Sequence, residues 1–71
     1  MQITGTITYV DLSGGFWGIE GDDKQKYTPS QPLPEAFQQE GLKVRAELAP
    51  SNGFGIFMWG QQVNVLKIEQ Q

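Results

Sequence analysis

The chain carries the stretch Gly14-Gly15-Phe16-Trp17-Gly18-Ile19, in which two adjacent aromatic residues stand among three glycines. Side chains at successive positions of an extended strand point to opposite faces of the sheet. One aromatic ring of this pair therefore enters the core of a β-fold while the other lies on the opposite face. Because Ile19 shares a face with Trp17, we predict that Trp17 belongs to the core and that Phe16 points outward.

The residues before this stretch alternate with a period of two. One face carries the set Ile3, Gly5, Ile7 and Tyr9. The opposite face carries threonine at positions 4, 6 and 8. This pattern predicts a first strand with an apolar face and a hydroxyl face. A turn is predicted at residues 11–15, because Asp, Ser and paired Gly supply side-chain hydrogen bonds and positive φ angles.

The residues after this stretch predict a hairpin and then a break in the sheet. A second strand is predicted at residues 16–20, a tight turn at 21–24 and a third strand at 25–28. Residues 29–34 contain three prolines. Proline lacks the N–H donor that a sheet ladder needs, so the third strand must end here.

A short helix is predicted at residues 34–40. Pro34 suits an early helical position, Glu35 favours the positive N-terminal end, and Gly41 is a natural C-terminal stop. Leu33 and Phe37 are four positions apart, so we expect them to pack together beneath the barrel.

The second half of the chain returns to the strand pattern. Residues 42–49 predict a fourth strand, with an apolar core face opposite a charged and solvated face. A turn follows at residues 50–53. Residues 54–59 are apolar at nearly every position, which predicts that both faces of this segment are covered.

Residues 63–69 predict the closing strand, but its apolar period slips by one position. Val63 and Val65 share one face, whereas Leu66 and Ile68 take the other. An extra residue inserted in one strand of a pair produces this change of phase. We therefore predict a β-bulge near Val65 and Leu66.

Strands, one short helix and further strands in 71 residues predict an all-β fold. The order favours a small closed OB-fold-like barrel of five to six strands, with the helix between the third and fourth strands, as a single domain over residues 1–71. Closure also removes the exposed strand edges that endanger a small sheet. An SH3-like barrel is the alternative, if the helix proves to be only a turn.

Composition argues against catalysis. The chain has no cysteine and no histidine, which removes disulfides, thiolate metal sites and the usual general base. Asp22 and Asp23 are adjacent turn formers and lack the further oxygen ligands of a calcium loop. We expect no enzyme activity, no cofactor and no metal. With no apolar run of about 20 residues and no signal-like segment, we expect a cytoplasmic protein without a membrane partner.

Two parts of the first half resemble the opening of cold-shock domains, an OB-fold family that stacks bases on strand aromatics. The matching residues are Gly5-Thr6-Ile7-Thr8-Tyr9 and Gly15-Phe16-Trp17-Gly18-Ile19, about the first third of the chain. That family spaces its second-strand aromatics two apart on one face, whereas Phe16 and Trp17 are adjacent. Its next strand carries aromatics and a histidine, and this chain offers only Tyr27. The resemblance implies single-stranded nucleic-acid binding.

A second resemblance spans nearly the whole chain. It rests on the Gly14–Ile19 stretch with Asp22-Asp23, Tyr27-x-Pro29, Leu33-Pro34-x-x-Phe37, Gly41-Leu42-x-Val44 and Met58-Trp59-Gly60-x-x-Val63. These residues resemble a group of small bacterial and archaeal proteins that form stand-alone OB-type barrels and are largely without assigned function. The resemblance implies the fold and assigns no activity.

The candidate binding surface combines aromatic and basic side chains: Phe16, Lys24, Lys26, Tyr27, Lys43, Arg45, Phe57 and Trp59. If the third and fourth strands approach one another, the four cations form a patch beside the rings. Cations that hold phosphates and rings that stack bases suit single-stranded nucleic acid. In the opposing interpretation these cations lie on solvated strand faces, paired with nearby carboxylates.

Two functions are compatible with this surface. The net charge of −3, the pI near 4.6 and the apolar segment at residues 54–59 favour a small adaptor or binding module with a protein partner. Such a module is a monomer or a weak homo-oligomer that associates through that segment. The alternative is a weak single-stranded nucleic-acid binder, which the negative net charge disfavours.

Overall fold

A computed structural model describes residues 1–12, 14–51 and 59–71. The described strands are β1 (Gln2–Val10), β2 (Phe16–Gly21), β3 (Lys26–Pro29), β4 (Lys43–Pro50) and β5 (Gln61–Gln70). One turn of 3-10 helix, Glu35–Phe37, lies between β3 and β4. The sheet closes into a barrel, which confirms the predicted small closed all-β fold. The apolar segment predicted at residues 54–59 lies outside the described residues except for Trp59.

The strands follow the order β1-β2-β3-β5-β4 around the barrel, and β4 returns to β1. The β3–β5 pair is parallel, and the remaining neighbours are antiparallel. β1 closes the barrel because it pairs on both sides. Its Gly5 lies opposite Gly21 of β2 and also opposite Val44 of β4. A displacement of β1 away from one neighbour therefore strains its contacts with the other.

The core is built from the inward positions of all five strands and from Leu33. Its members are Ile3, Ile7, Ile19, Tyr27, Leu33, Val44, Ala46, Leu48 and Val63. The alternation predicted for the first strand is confirmed at Ile3, Gly5 and Ile7, which are buried. It is wrong at Tyr9, which is 47% exposed. Tyr9 stands near the end of β1 and outside the core cluster, where its described ring contact is with Trp17.

Trp17 is half-buried, so it lies at the margin of the core to which the sequence assigns it. It packs against the core cluster from one side. Its other contact is Tyr9, whose ring centre lies 5.1 Å away at an interplanar angle of 68°. Because Trp17 stands at the second residue of β2, it lies near the end of the barrel, where the partly exposed Tyr9 covers the part of its ring that the core does not.

The predicted helix at residues 34–40 is reduced to the single 3-10 turn. Pro34 is extended, with φ −54° and ψ 145°, and Gln38 leaves helical geometry with ψ 67°. The segment is therefore too short for a full set of α-helical hydrogen bonds. Leu33 is buried and Phe37 packs against the core as a half-buried residue, so the predicted apolar packing beneath the barrel is confirmed.

A bulge interrupts the β4–β5 ladder at the predicted place. Leu48 pairs with Val65, whereas the preceding residue Glu47 pairs with Lys67. Leu66 is therefore the extra residue, as the phase slip in the sequence predicts. Its side chain is 62% exposed. Among the described residues the 3-10 turn is the only helical element, so none of them forms a helix that could cross a membrane.

Tyr27 is a core residue with a polar anchor. Its side chain is 2% exposed, and its hydroxyl donates a hydrogen bond of 2.9 Å to Oδ2 of Asp23. Asp23 Oδ1 also accepts a hydrogen bond from the backbone N–H of Gln25, which shapes the turn before β3. Burial raises the pKa of the Tyr27 phenol above its ordinary value, and the hydrogen bond to Asp23 and its negative charge raise it further.

We expect the fold to lose stability at alkaline pH when Tyr27 ionises. The folded-state pKa is raised, so the contribution of the neutral phenol is complete below about pH 10 and is lost as the pH rises through the folded-state value. The Tyr27→Phe variant cannot ionise here, so its free energy of unfolding should fall less steeply above about pH 10. Urea titrations across this range test the prediction, with Tyr9→Phe as the exposed control. Parallel curves for the wild type and Tyr27→Phe would contradict it.

Candidate functional site

The outward face of β1, β2 and β3 brings aromatic residues and carboxylates together. Its register pairs Val10 with Phe16, Thr8 with Gly18 and Thr6 with Glu20. On the other side of β2, Glu20 lies opposite Lys26. Facing residues of antiparallel strands point to the same side, so these positions form one continuous surface. We call it the outer face.

Phe16 and Trp59 form an aromatic cluster at one end of the outer face. Their ring centres are 5.9 Å apart at an interplanar angle of 76°, an edge-to-face arrangement. Lys26 Nζ lies 5.5 Å from the centre of the Trp59 ring, within the range of a cation–π contact. The hydroxyl of Thr28 donates a hydrogen bond to the backbone carbonyl of Trp59. The segment that enters β5 is thus attached to β2 and β3.

Two glycines make this attachment possible. A Cβ atom on Gly18 would lie 2.9 Å from Cη2 of Trp59, so the indole rests directly against the backbone of β2. Gly60 has a φ of 71°, and a Cβ there would lie 2.6 Å from the carbonyl carbon of Lys26. Glycine is therefore needed at both places, where no other residue fits without displacement. In the sequence, the residues that could indicate this contact are Gly18 and the Trp59-Gly60 pair.

Phe16 and Trp17 lie on opposite faces of β2, as their adjacent positions in the strand predict. Phe16 pairs with Trp59 on the outer face, whereas Trp17 pairs with Tyr9 on the side of the core. Both are half-buried. The prediction that they take opposite faces is confirmed.

A cleft of about 300 Å³ opens beside the two aromatics. One wall is formed by Gly15, Phe16 and Trp17, and the other by residues 29–33. β2 pairs with β3 only at Ile19 and Glu20, so the ladder stops before Trp17 and leaves a gap between the start of β2 and residues 29–33. Its lining is mostly apolar, which suits an aliphatic or aromatic side chain.

The other end of the outer face is acidic. Glu20, Asp22 and Glu40 line a shallow depression of about 260 Å³ together with Thr6 and Thr8. Glu40 Oε1 accepts hydrogen bonds from the backbone N–H of Tyr9, at 3.0 Å, and from the Thr8 hydroxyl, at 3.3 Å. Asp22 Oδ2 accepts one of 2.8 Å from the Thr4 hydroxyl. These bonds fix two carboxylates at the surface.

The cations are fewer than the carboxylates around this depression. Lys43 reaches its edge, where Nζ donates a hydrogen bond of 3.1 Å to the Thr6 hydroxyl. Within the described part of the chain, the only ion pair joins Arg45 to Glu69, at 3.9 Å between Nη1 and Oε1. No cation therefore forms an ion pair with Glu20, Asp22 or Glu40 among these residues.

The barrel divides the predicted binding surface. Phe16, Lys24, Lys26 and Trp59 lie at the β2–β3 side, with both lysines exposed. Lys43 and Arg45 lie on β4, which is separated from β3 by β5 on one side and by β1 and β2 on the other. The third and fourth strands therefore do not approach, and the four cations do not form one patch.

Two further residues of the predicted surface have different outcomes. Tyr27 is buried in the core, so it does not contribute to the outer face. The reason is its register opposite the core residue Ile19, on the inward side of the sheet. Phe57 lies outside the described residues. The acidic depression was not predicted, because Glu40 comes from a distant connection and nothing in the local pattern places it beside Glu20.

Metal binding has no support in the residues that the structure describes. They contain no group of three or more Asp and Glu side chains arranged to hold a metal ion.

Comparison of the chain with protein-family models, with curated proteins and with solved structures gave no significant match.

Proposed function

We propose that this chain is a small, non-catalytic binding module whose partner is a protein. The observation that carries the proposal is the apolar cleft beside Phe16 and Trp17, next to the Phe16–Trp59 cluster. Partly exposed aromatic rings beside a cleft are typical anchors of protein–protein interfaces. A buried apolar side chain of a partner would fill the cleft and exclude water from the rings.

The topology supports the use of this face. The order β1-β2-β3-β5-β4 with a parallel β3–β5 pair supports an OB-type barrel over the SH3-like alternative. OB-type barrels bind oligonucleotides and oligosaccharides on the surface of their second and third strands. The loops between strands 1 and 2 and between strands 4 and 5 flank this surface. Phe16 starts β2, and Trp59 comes from the connection between β4 and β5, so the cluster occupies this region.

The charges favour protein over nucleic acid. A single-stranded nucleic-acid groove needs cations along the backbone path and rings for the bases. Here Lys26 is the cation at the aromatic cluster, and Glu20, Asp22 and Glu40 continue the same face. Phosphates placed along this face would meet carboxylates, and Lys43 and Arg45 lie on another strand. The net charge of −3 acts in the same direction.

The proposal is tested by affinity capture followed by binary measurement. The immobilised chain is incubated with nuclease-treated lysate of its source, and captured proteins are identified and purified. We expect Phe16→Ser to weaken binding of the purified partner about tenfold or more, since a central aromatic anchor contributes more than about 1.4 kcal/mol. Leu66→Ser is the matched control, because it removes an exposed apolar side chain from β5. NMR spectra establish that both variants are folded.

The nucleic-acid alternative is tested in parallel. Trp17 and Trp59 report on binding by fluorescence when short single-stranded DNA or RNA is added at low salt. Saturable, salt-sensitive binding that Phe16→Ser abolishes, together with no protein partner that distinguishes Phe16→Ser from Leu66→Ser, would overturn the proposal. Sedimentation velocity separates a foreign partner from a second copy of the chain.

A further inference from the structure

We infer that the unpaired edge of β5 binds an extended segment of another protein as an added antiparallel strand. The site is a groove of about 530 Å³ between β5 and residues 30–34. Residues 30–33 separate this groove from the apolar cleft beside Phe16 and Trp17. The edge is a second docking site beyond the proposed function, because it uses backbone groups and no residue of the aromatic cluster.

β5 is paired along most of one edge and along little of the other. β4 pairs with residues 63–70, whereas β3 pairs only with residues 61–63. On the β3 side, the N–H of Ser30 then donates a hydrogen bond to the Val63 carbonyl. Among the described residues, no strand lies beside residues 64–70 on that side.

The β4–β5 ladder shows which backbone groups face the free edge. The N–H of Gln71 donates to the carbonyl of Lys43, and alternation along the ladder means that residue 67 also bonds to β4. The N–H and C=O of Ile68 therefore point away from β4, as do those of Val65 before the bulge. In the part of the chain that the structure describes, no backbone hydrogen bond from another segment reaches these groups. Such an edge can accept a further strand.

The groove has room for a single strand. In a packed sheet one residue occupies about 3.3 Å along the strand, about 4.8 Å across it and about 10 Å through the sheet, or about 160 Å³. A groove of about 530 Å³ therefore holds about three residues beside β5. A second copy of this chain would bring its own β4 along, on the side where residues 30–34 form the wall. The occupant is therefore a segment whose outer edge is free.

Charges along β5 specify two side chains of the added strand. Lys67 lies opposite Glu47 of β4, and Glu69 lies opposite Arg45, with 3.9 Å between Arg45 Nη1 and Glu69 Oε1. Lys67 is exposed and forms no ion pair within the described residues. Opposite charges that face one another on neighbouring strands are stabilising, and like charges are destabilising. The added strand should therefore carry a carboxylate opposite Lys67 and a cation opposite Glu69.

The remaining positions of the added strand are apolar. Ile68 and Val65 are half-buried and pack against the core, so the residues opposite them point to the same side. An antiparallel pair is slightly more stable per residue than a parallel one. An antiparallel strand beside β5 has the order cation, apolar residue, carboxylate, apolar residue. The bulge and Lys67 hinder pairing with strands that lack this order, because both features protect an edge from unspecific pairing.

Amide hydrogen exchange measured by NMR on the full chain tests the free edge. We expect the Ile68 amide to exchange at least about tenfold faster than the Lys67 amide, which is bonded to β4. The peptide acetyl-Ser-Lys-Val-Glu-Val-Ser-amide, added at millimolar concentration, should slow exchange at Ile68 and shift the amide signals of residues 64–70.

An isomeric peptide is the matched control for the charge order. Acetyl-Ser-Glu-Val-Lys-Val-Ser-amide has the same composition and net charge, and we expect it to bind about fivefold more weakly, since both cross-strand pairs become like-charged. Lys67→Gln should reduce this preference to about twofold. Lys24→Gln changes an exposed lysine in the turn between β2 and β3, so it should leave the preference unchanged.

Methylated peptides test the backbone pairing directly. The N–H of the first valine in the Lys-Val-Glu-Val peptide faces the Ile68 carbonyl, so its N-methylation should weaken binding about tenfold. The N–H of the glutamate faces away from β5, so its N-methylation should weaken binding less than about threefold.

The results that would overturn the docking site are distinct. Protection of the Ile68 amide without peptide would show that the edge is already paired, and protection that rises with protein concentration would show that a second copy occupies it instead. Equal binding of the isomers, or a preference for the control isomer, would overturn the antiparallel charge pairing. No change at residues 64–70 with either peptide would overturn the site itself. The proposed function is decided separately by capture with Phe16→Ser, and Leu66→Ser leaves the backbone groups of this edge in place.

Discussion

Replacement of Gly5 by valine is expected to unfold the barrel. A Cβ atom at this position would lie 2.6 Å from the Glu20 carbonyl oxygen and 3.0 Å from Cα of Gly21. Both are backbone atoms of β2, so no side chain can rotate to make room. On its other side β1 pairs with β4, where Gly5 lies opposite Val44. Moving β1 away from β2 therefore breaks the contacts that close the barrel.

The expected size of this effect exceeds that of an ordinary overpacked core. Inserting extra carbon atoms into a packed interior costs about 1–3 kcal/mol, and here the rigid backbone of a closed sheet must move. A domain of this length has a free energy of unfolding of only about 3–5 kcal/mol. Gly5→Val should therefore be largely unfolded in water, while Gly5→Ala, which adds only the Cβ atom, should be folded but strongly destabilised.

Urea titration monitored by the fluorescence of Trp17 and Trp59 measures the loss. Thr6→Val is the control, because it introduces the same valine side chain at the next position of β1, on the outer face, where threonine already has a branched side chain of similar volume. It removes the hydrogen bond from Lys43, so we expect a loss of about 1 kcal/mol or less. A stabilising osmolyte such as trimethylamine N-oxide should restore a cooperative transition in Gly5→Val. An unchanged urea midpoint for Gly5→Val would show that β1 and β2 do not approach as closely as described.

Ile19→Ala is expected to have the second largest effect. The Ile19 side chain is fully buried and lies opposite Ile7 across the β1–β2 pair. Removing buried methyl and methylene groups costs about 2–5 kcal/mol, because transfer energy is lost and a cavity remains. This is comparable to the whole stability of a domain of this size, about 3–5 kcal/mol. We therefore expect Ile19→Ala to be mostly unfolded or to unfold at very low urea concentration.

The chain provides its own control for this substitution. Leu66 is the bulged residue of β5 and is 62% exposed, so Leu66→Ala removes a similar aliphatic side chain without opening a cavity. We expect it to change the free energy of unfolding by less than about 0.5 kcal/mol. Comparable losses for Ile19→Ala and Leu66→Ala would contradict the assignment of core and surface along β2 and β5.

These substitutions also separate stability from binding. Ile19→Ala and Gly5→Val change the packing of the fold, while Phe16→Ser changes a side chain of the outer face. A variant that loses partner binding while its urea midpoint is unchanged has lost a surface contact. Leu66→Ser lies on β5, away from the outer face, so it controls for the loss of an apolar side chain.

Much of the fold follows from local patterns. The period of two places Ile3 and Ile7 in the core and puts Phe16 and Trp17 on opposite faces, because strand geometry alone sets these directions. The phase slip at Val65 and Leu66 identifies the bulge for the same reason. The alternation is less informative at the end of a strand, where Tyr9 follows the apolar phase but lies outside the core cluster.

The candidate site depends on contacts that no local pattern contains. Trp59 rests on Gly18, and Glu40 binds the backbone of Tyr9, although each pair is far apart in the chain. The sequence predicts Tyr27 on the binding surface, but the ring is buried because its register places it opposite Ile19. The sequence predicts Lys43 and Arg45 beside Lys24 and Lys26, but β4 is not a neighbour of β3 in the barrel.

Local spacing was thus sufficient for the direction of each side chain, the bulge and the all-β class, since those properties repeat within a few residues. The identity of neighbouring strands required the closed barrel, because closure pairs β3 with β5 and β1 with β4 irrespective of their separation in the chain. The Gly14–Ile19 stretch illustrates both what local spacing determines and what barrel closure determines. Its alternation assigned Phe16 and Trp17 to opposite faces, and closure supplied Trp59 as the partner of Phe16 and the acidic depression beyond Glu20.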